Sequence, residues 1–219
     1  MSTRKRKERE KEQRRKLIVD AAQTLFFSKR YDEITIEEIA KKSQLAKGTV
    51  YLYFKSKEAL YSAVALRGVH TMNAMFKDAA GRSRSGLEKA FAIGEAYYEF
   101  YKRQPHYFRM FEEAESLPVA TSDDPNAAEL MKVNYENLEI LLNAVIKGIK
   151  DGSIKPDVNS IQTSIFLAQS TRAMILLPPA FEMLLRQAGV DKDATMKFTL
   201  QALRRSLENT QTKIGGPKK

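Results

Sequence analysis

No cysteine occurs among the 219 residues. That removes disulfides, thiolate nucleophiles and the common structural zinc sites together, and it fits a reducing, cytoplasmic setting. Histidine is nearly as scarce, since His70 and His106 stand far apart in the chain. His106 directly follows Pro105 and is read as a helix-start residue rather than a ligand. There is no G-x-S-x-G, no glycine-rich phosphate loop and no H-E-x-x-H, so hydrolase, nucleotide-dependent and metalloprotease chemistry lack their signatures. No stretch approaches the roughly 18 uncharged apolar residues of a membrane span, and residues 1–16 are charged, unlike a secretion signal. No period-two alternation survives anywhere, so no strand is expected. These absences leave a helical chain that is not an enzyme, needs no cofactor or metal, and does not enter a membrane.

What is present is ordinary globular composition, 43% hydrophobic, with a formal net charge of +10. The charge is unevenly distributed. Residues 1–66 carry 16 basic against 9 acidic side chains, and the surplus beyond them equals the three lysines of the tail, Lys213, Lys218 and Lys219. A basic front and a near-neutral body suggest that the front meets nucleic acid. The densest run, Arg4 to Lys16, contains no apolar side chain. It reads either as a solvated tail or as an arm that neutralises phosphates, and it lacks the apolar face of a membrane-surface helix.

Residues 35 to 58 organise the front. Thr35 and Glu38 have the spacing of a capping box, so a short helix is expected from Ile36, with Ile36, Ile39 and Ala40 on its inner face. After a break at Ser43 and Gln44, a second short segment can turn Leu45, Val50 and Phe54 inward. That leaves Lys47, Gly48, Thr49, Tyr51 and Tyr53 outside. Hydroxyls, a cation and a glycine are what a helix lying in a major groove requires, for phosphate contacts, base-edge contacts and close backbone approach. Ser56 looks like the N-cap of a third helix, with Lys57 in its first turn.

The segment from Ala46 to Leu60, AKGTVYLYFKSKEAL, resembles the helix-turn-helix of TetR-type transcriptional regulators. The resemblance is tight over roughly residues 14–62 and architectural beyond. The family usually places glycine where this chain has Gln44, in the turn, and Arg30, after helix one. A non-glycine residue held at positive φ costs about 1 kcal/mol.

The rest of the chain reads as further helices. Leu17, Ile18, Ala21, Ala22, Leu25 and Phe26 form the stripe of helix one, ending near Ser28 to Tyr31. The helix after Ser56 has no stop before about Ala80 to Ser85. Others are expected over Leu87 to Gln104 and His106 to Glu115, then from Asn126 to Lys150, with Leu130, Val133, Asn134, Leu138, Leu141, Leu142, Val145 and Ile149 inward and Gly152 as its cap. Two more follow, near Ser160 to Leu177 and Asp193 to Asn209, with a short apolar piece between them. The fold class is all-α, a three-helix DNA-binding head joined to a helical-bundle ligand-binding and dimerisation domain. The divisions are a basic arm at 1–13, the head at 14–66, the body at 67–210 and a tail at 211–219.

The resemblance implies a homodimeric regulator, most simply a repressor. It would bind double-stranded palindromic operator DNA and be released by a small effector, which the aromatic candidates named below would make largely apolar. Carried over by position, the DNA-binding residues are Thr35, Lys47, Gly48, Thr49, Tyr51, Tyr53 and Lys57. The aromatic residues of the body are individually ordinary core, but collectively numerous enough to line a pocket. With the resemblance, Phe91, Tyr97, Tyr101, Tyr107, Phe111, Tyr135 and Phe166 are the ligand-binding candidates. Ile161, Ile165, Leu200, Leu203 and Leu207 are the dimer-interface candidates. The competing reading is a small-molecule carrier or processing protein whose basic helical head binds nucleic acid without sequence choice.

Overall fold

The computed structural model describes residues 3–114 and 124–210. Of the loop expected between the helices, Leu117 to Pro125, all but the last two residues lie outside the described residues, as does the tail at 211–219. The described chain forms ten α-helices, one 3-10 turn at Tyr31–Glu33, and a lone antiparallel bridge between Ile154 and Glu208. None of these helices is long and apolar enough to cross a membrane. Two compact units form, one from residues 1–71 and 104–133, the other from residues 72–103 and 134–219.

In the first unit, α1 runs continuously over Thr3–Ser28, so the basic run is helix rather than a separate arm. Its lysines, arginines and glutamates are good helix formers, and Arg4–Glu8 (3.4 Å) and Arg6–Glu10 (3.0 Å) pair one turn apart. Ile18, Val19, Ala21, Ala22 and Phe26 are buried, while Leu17 stays exposed. The capping box forms as its spacing requires. Glu38 N donates to Thr35 Oγ1 at 3.2 Å and Thr35 N to Glu38 Oε2 at 3.0 Å, opening α2 at Ile36–Lys42. The turn passes through Gln44 at φ 59° and leads into α3, Lys47–Tyr53. Ser56 Oγ then accepts from Ala59 N (3.2 Å) at the start of α4, Lys57–Arg82.

The long helix α4 belongs to the first unit up to Thr71 and to the second from Met72, so the division expected at residue 66 falls inside it. The first unit also takes in α6, Pro105–Ala114. There the Tyr61 hydroxyl donates to Met110 O (2.7 Å), and Arg109 Nη2 donates to Phe26 O (2.6 Å) and Phe27 O (3.2 Å). A guanidinium on the last carbonyls of α1 satisfies groups that the helix leaves unpaired and suits its negative end. Gly68 makes the α4–α6 approach possible, because a Cβ there would lie 2.5 Å from the Tyr107 ring.

The second unit is built from α5 (Gly86–Arg103), α8 (Ser160–Ile175) and α10 (Lys192–Leu207), packed around Phe91, Ile93, Phe100, Leu167, Ile175, Met196 and Leu200. The first turn of α5 rests on the last turns of α7, Pro125–Lys150. A Cβ on Gly86 would meet Gly148 N at 1.9 Å, so no larger residue fits there. Within this unit the buried side of α7 is Asn137, Leu141, Ala144, Val145 and Gly148. Asn134 and Leu138, expected inside, are exposed, because the inner stripe follows the small residues that admit α5. Gly152 ends α7 at φ 76° as expected. The short apolar piece after the paired prolines is a helix, α9 (Pro179–Gln187), with proline in its first turn and no buried residue.

The two departures from glycine separate. Arg30 sits at φ −71°, ordinary extended backbone, whereas Gln44 occupies the left-handed region. Gln44→Gly is therefore expected to stabilise the fold by up to about 1 kcal/mol in thermal melts. Arg30→Gly is expected to destabilise it by about 0.5–1 kcal/mol, because only unfolded-chain entropy changes there.

Candidate functional site

The outward face of α3 follows from which residues the core claims. Val50 is fully buried and Phe54, just beyond the helix, nearly so. A residue two positions after Val50 stands about 200° around the axis, and there Leu52 is 78% exposed. Beside it Tyr51 is 40% exposed, Lys47 and Gly48 are exposed, and Thr49 and Tyr53 are half-buried. A Cβ on Gly48 would meet nothing within 4 Å, so the fold does not require glycine there. The Lys47 ammonium pairs with the Glu37 carboxylate of α2 and lies 5.9 Å from the centroid of the Tyr51 ring. That pairing, chiefly its hydrogen bond, holds the Glu37 carboxyl below its ordinary range and raises Lys47.

Thr35 and Lys57 are differently placed. The Thr35 hydroxyl is engaged in the cap of α2. Lys57 is half-buried, its ammonium donating to Tyr31 O (2.9 Å) and Ile34 O (3.0 Å) and lying 4.0 Å from the Tyr31 ring centroid. It ties the turn after α1 to the start of α4. The Tyr31 hydroxyl in turn donates to Glu58 Oε1 at 2.6 Å, and this bond, as the largest cause, lowers the Glu58 carboxyl. Leu52 is the residue that sequence reasoning missed. Its apolar type pointed inward, while the 100° step from Val50 pointed out.

The seven aromatic ligand candidates are shared between the two compact units. Tyr107 and Phe111 belong to the first unit, where the Tyr107 ring meets Phe27 edge-on with 4.9 Å between centroids. Tyr135 and Phe166 are 65% and 51% exposed, because the neighbouring Asn137 and Leu167 take the inward positions of α7 and α8. Phe91, Tyr97 and Tyr101 remain in the second unit, with Phe91 buried and the other two half-buried. Phe91 forms part of the floor of a cleft of about 410 Å³ between α5 and α10, with Met196 and Leu200. Charge lines its rim. The Tyr98 hydroxyl donates to Asp193 Oδ1 at 2.6 Å, and Lys102 Nζ lies 3.2 Å from Glu99 and 3.6 Å from Asp193. Burial pushes the Tyr98 hydroxyl well up, and its hydrogen bond is the largest influence drawing the Asp193 carboxyl down.

The expected dimer face divides as well. Leu200, Leu203 and Leu207 are buried within their own chain, where α10 packs on α8 and α5. Ile161 and Ile165 of α8 are 60% and 58% exposed, joined by Phe198 of α10 at 69%. The leucines lie on the inner face of α10 and Phe198 on its outer face.

The family model described as "Bacterial regulatory proteins, tetR family" matches residues 18–64, the stretch from the buried part of α1 through the first turns of α4. The chain is 27% identical over 143 residues to the uncharacterized HTH-type transcriptional regulator YhgD of Bacillus subtilis, covering 65% of this chain and 73% of that one. It is 24% identical over 159 residues to the HTH-type transcriptional repressor KstR2 of Mycolicibacterium smegmatis, covering 72% and 76%. The crystal structure of the transcriptional regulator FadR from Bacillus subtilis in complex with stearoyl-CoA shares the fold, with a TM-score of 0.64 at 19% identity over 85% of this chain and 96% of that one. With the capped α2, the turn at Gln44 and the outward row of α3, these matches identify residues 18–64 as a TetR-family helix-turn-helix domain and the protein as a DNA-binding transcriptional regulator.

Proposed function

We propose that this regulator is a cytoplasmic repressor rather than an enzyme, that it binds a palindromic operator as a homodimer, and that a small, largely apolar effector releases it. The observation that carries the reading is the outward row of α3, in which Leu52 and Tyr51 stand exposed beside Lys47, Gly48 and Thr49. Exposed apolar side chains are normal singly, but on a short helix flanked by a cation and hydroxyls they match base edges and thymine methyls in a major groove. The similarity to a named repressor supports the direction of control. The shared fold with a regulator crystallised with stearoyl-CoA supports an effector that is mostly hydrocarbon.

Tyr51→Ala and Leu52→Ala are each expected to weaken binding to a selected palindromic duplex by about 1–3 kcal/mol with unchanged melting temperature. Lys57→Met is expected to lower the melting temperature, because two backbone carbonyls lose their donor. Unaltered operator affinity in both α3 variants refutes the row. Binding by the wild type that is weak and blind to sequence favours the carrier reading instead.

The helical extension at residues 3–16 neutralises DNA phosphates on this reading. Deleting residues 1–13 is expected to flatten the slope of log K against log salt by about 0.9 for each phosphate that the shortened protein no longer neutralises. A slope identical to the full chain's makes the extension a solvated helix only.

Two heads need a fixed spacing, about 34–36 Å or a further turn for half-sites on one DNA face. The exposed Ile161, Ile165 and Phe198 are the apolar positions that a second copy covers on this proposal. Ile165→Glu is expected to give folded monomers in sedimentation that no longer bind the operator. Leu203→Arg, buried in its own chain, is expected to unfold the protein rather than separate it. A DNA-competent dimer from Ile165→Glu refutes this face.

A further inference from the structure

One buried polar atom in the second unit is left without a hydrogen bond among the described residues. Asn73 of α4 and Asn137 of α7 are 6% and 5% exposed. Asn73 Nδ2 donates to Asn137 Oδ1 at 2.8 Å. The carboxamide nitrogen of Asn137, also buried, has no hydrogen-bond partner. Leaving such a donor unpaired in an apolar interior costs free energy that leucine at both positions would not. The buried neighbours one turn away along the two helices are apolar, among them Phe76 of α4, whose ring meets Tyr97 of α5 at 6.1 Å, and Leu141 of α7. One charged pair joins these helices: Lys77 and Glu136 meet at 3.6 Å and lie toward solvent, 60% and 36% exposed.

Small-molecule sites are built from such parts, apolar walls with a few placed polar groups that fix orientation. The donor is neutral and single, so it suits a neutral acceptor. A carboxylate or phosphate brought there would exchange its hydration for one hydrogen bond and no counter-charge. We propose that Asn137 is the hydrogen-bond donor for the neutral carbonyl group, a ketone, ester or thioester, of an otherwise apolar effector held between α4 and α7. The inference rests on the reading of the protein as effector-released. It adds the group that the effector must carry and the atom that reads it. Because α4 is one helix beginning a few residues after α3, a ligand that shifts Asn73 acts on the element nearest the reading face in sequence.

The experiment uses the full-length protein and two matched pairs of probes, decan-2-one against decane and cyclododecanone against cyclododecane, with binding followed by thermal shift and titration. Wild type is expected to bind at least one ketone about tenfold more tightly than its hydrocarbon, the worth of one neutral hydrogen bond. In the Asn73→Leu/Asn137→Leu double variant that ratio is expected to fall to about one, while the melting temperature without ligand holds or rises because the unpaired donor is gone. Asn137→Asp keeps an acceptor for Asn73 and lacks a donor only when the carboxyl is ionised, so it is expected to lose the same preference above the pKa of that buried carboxyl and to regain it below, where the O–H donates. No discrimination by wild type, a preference that survives in both variants, or no binding of any probe overturns the assignment. Operator binding in a gel is measured on the same samples. If it persists in wild type while the assignment fails, the regulator reading stands without Asn137, and if wild type binds no operator the regulator reading itself fails.

Discussion

A seven-residue helix cannot hold itself in water, because nucleating the first turn fixes several residues for one hydrogen bond. The reading face of α3 therefore exists only through what its other face buries. Val50 and Phe54 supply that, fully enclosed with Ile39, Leu60 and Val64. Everything outward on α3 is free to be chosen for DNA because these inward residues have already set its position. The capping box of α2 and the positive φ of Gln44 are the local conditions for the turn that delivers α3 to this core.

The same small core is braced from outside the helix-turn-helix. Tyr61 is completely buried, its ring edge-on to Phe26 at 5.1 Å and to Tyr31 at 5.3 Å, and its hydroxyl ends on Met110 O of α6. A buried tyrosine is tolerable only with a partner for its hydroxyl, so α6 completes a polar requirement that the head creates. Arg109 does the reverse, capping α1 from α6. These bonds explain why the compact unit includes α6 and why a division drawn along the chain at residue 66 cuts through it.

The helices were legible because caps and periodicity are local. Thr35 with Glu38, Ser56, Pro105 and Gly152 each mark an end that the structure keeps. The same local rules hid the extension of α1, since a run without an apolar face offers no amphipathic signal, and its i,i+4 ion pairs are the only clue. Which side of a helix faces inward was less legible. In α7 both Leu138 and Leu141 are leucine, yet only Leu141 is buried, because Gly148 and Ala144 set where α5 approaches. Tyr135 and Phe166 are exposed for the same reason: residue type says that they can be buried, not which neighbour occupies the inward position. Leu203 is the opposite case, an apolar residue expected at a partner's face that is buried within its own chain.

Head and body place opposite demands on one chain. The head is worth most when rigid, and there the described polar groups find partners: Lys57 on two carbonyls, Glu38 on Thr35 and Lys29, Tyr31 on Glu58. On the proposal that an effector releases the protein, the body must possess two arrangements of similar free energy, since a ligand shifts an equilibrium only by the difference in its affinity for them. A donor left unpaired at Asn137 makes the ligand-free packing less stable than the same helices could achieve. An acceptor that satisfies it gains free energy in whichever arrangement admits the ligand, and α4 carries Asn73, on the other side of that bond, in the same helix that starts the head's core at Leu60. Linkage then fixes the consequence: if that arrangement is the one that DNA disfavours, operator must weaken the ligand by the factor with which the ligand weakens operator.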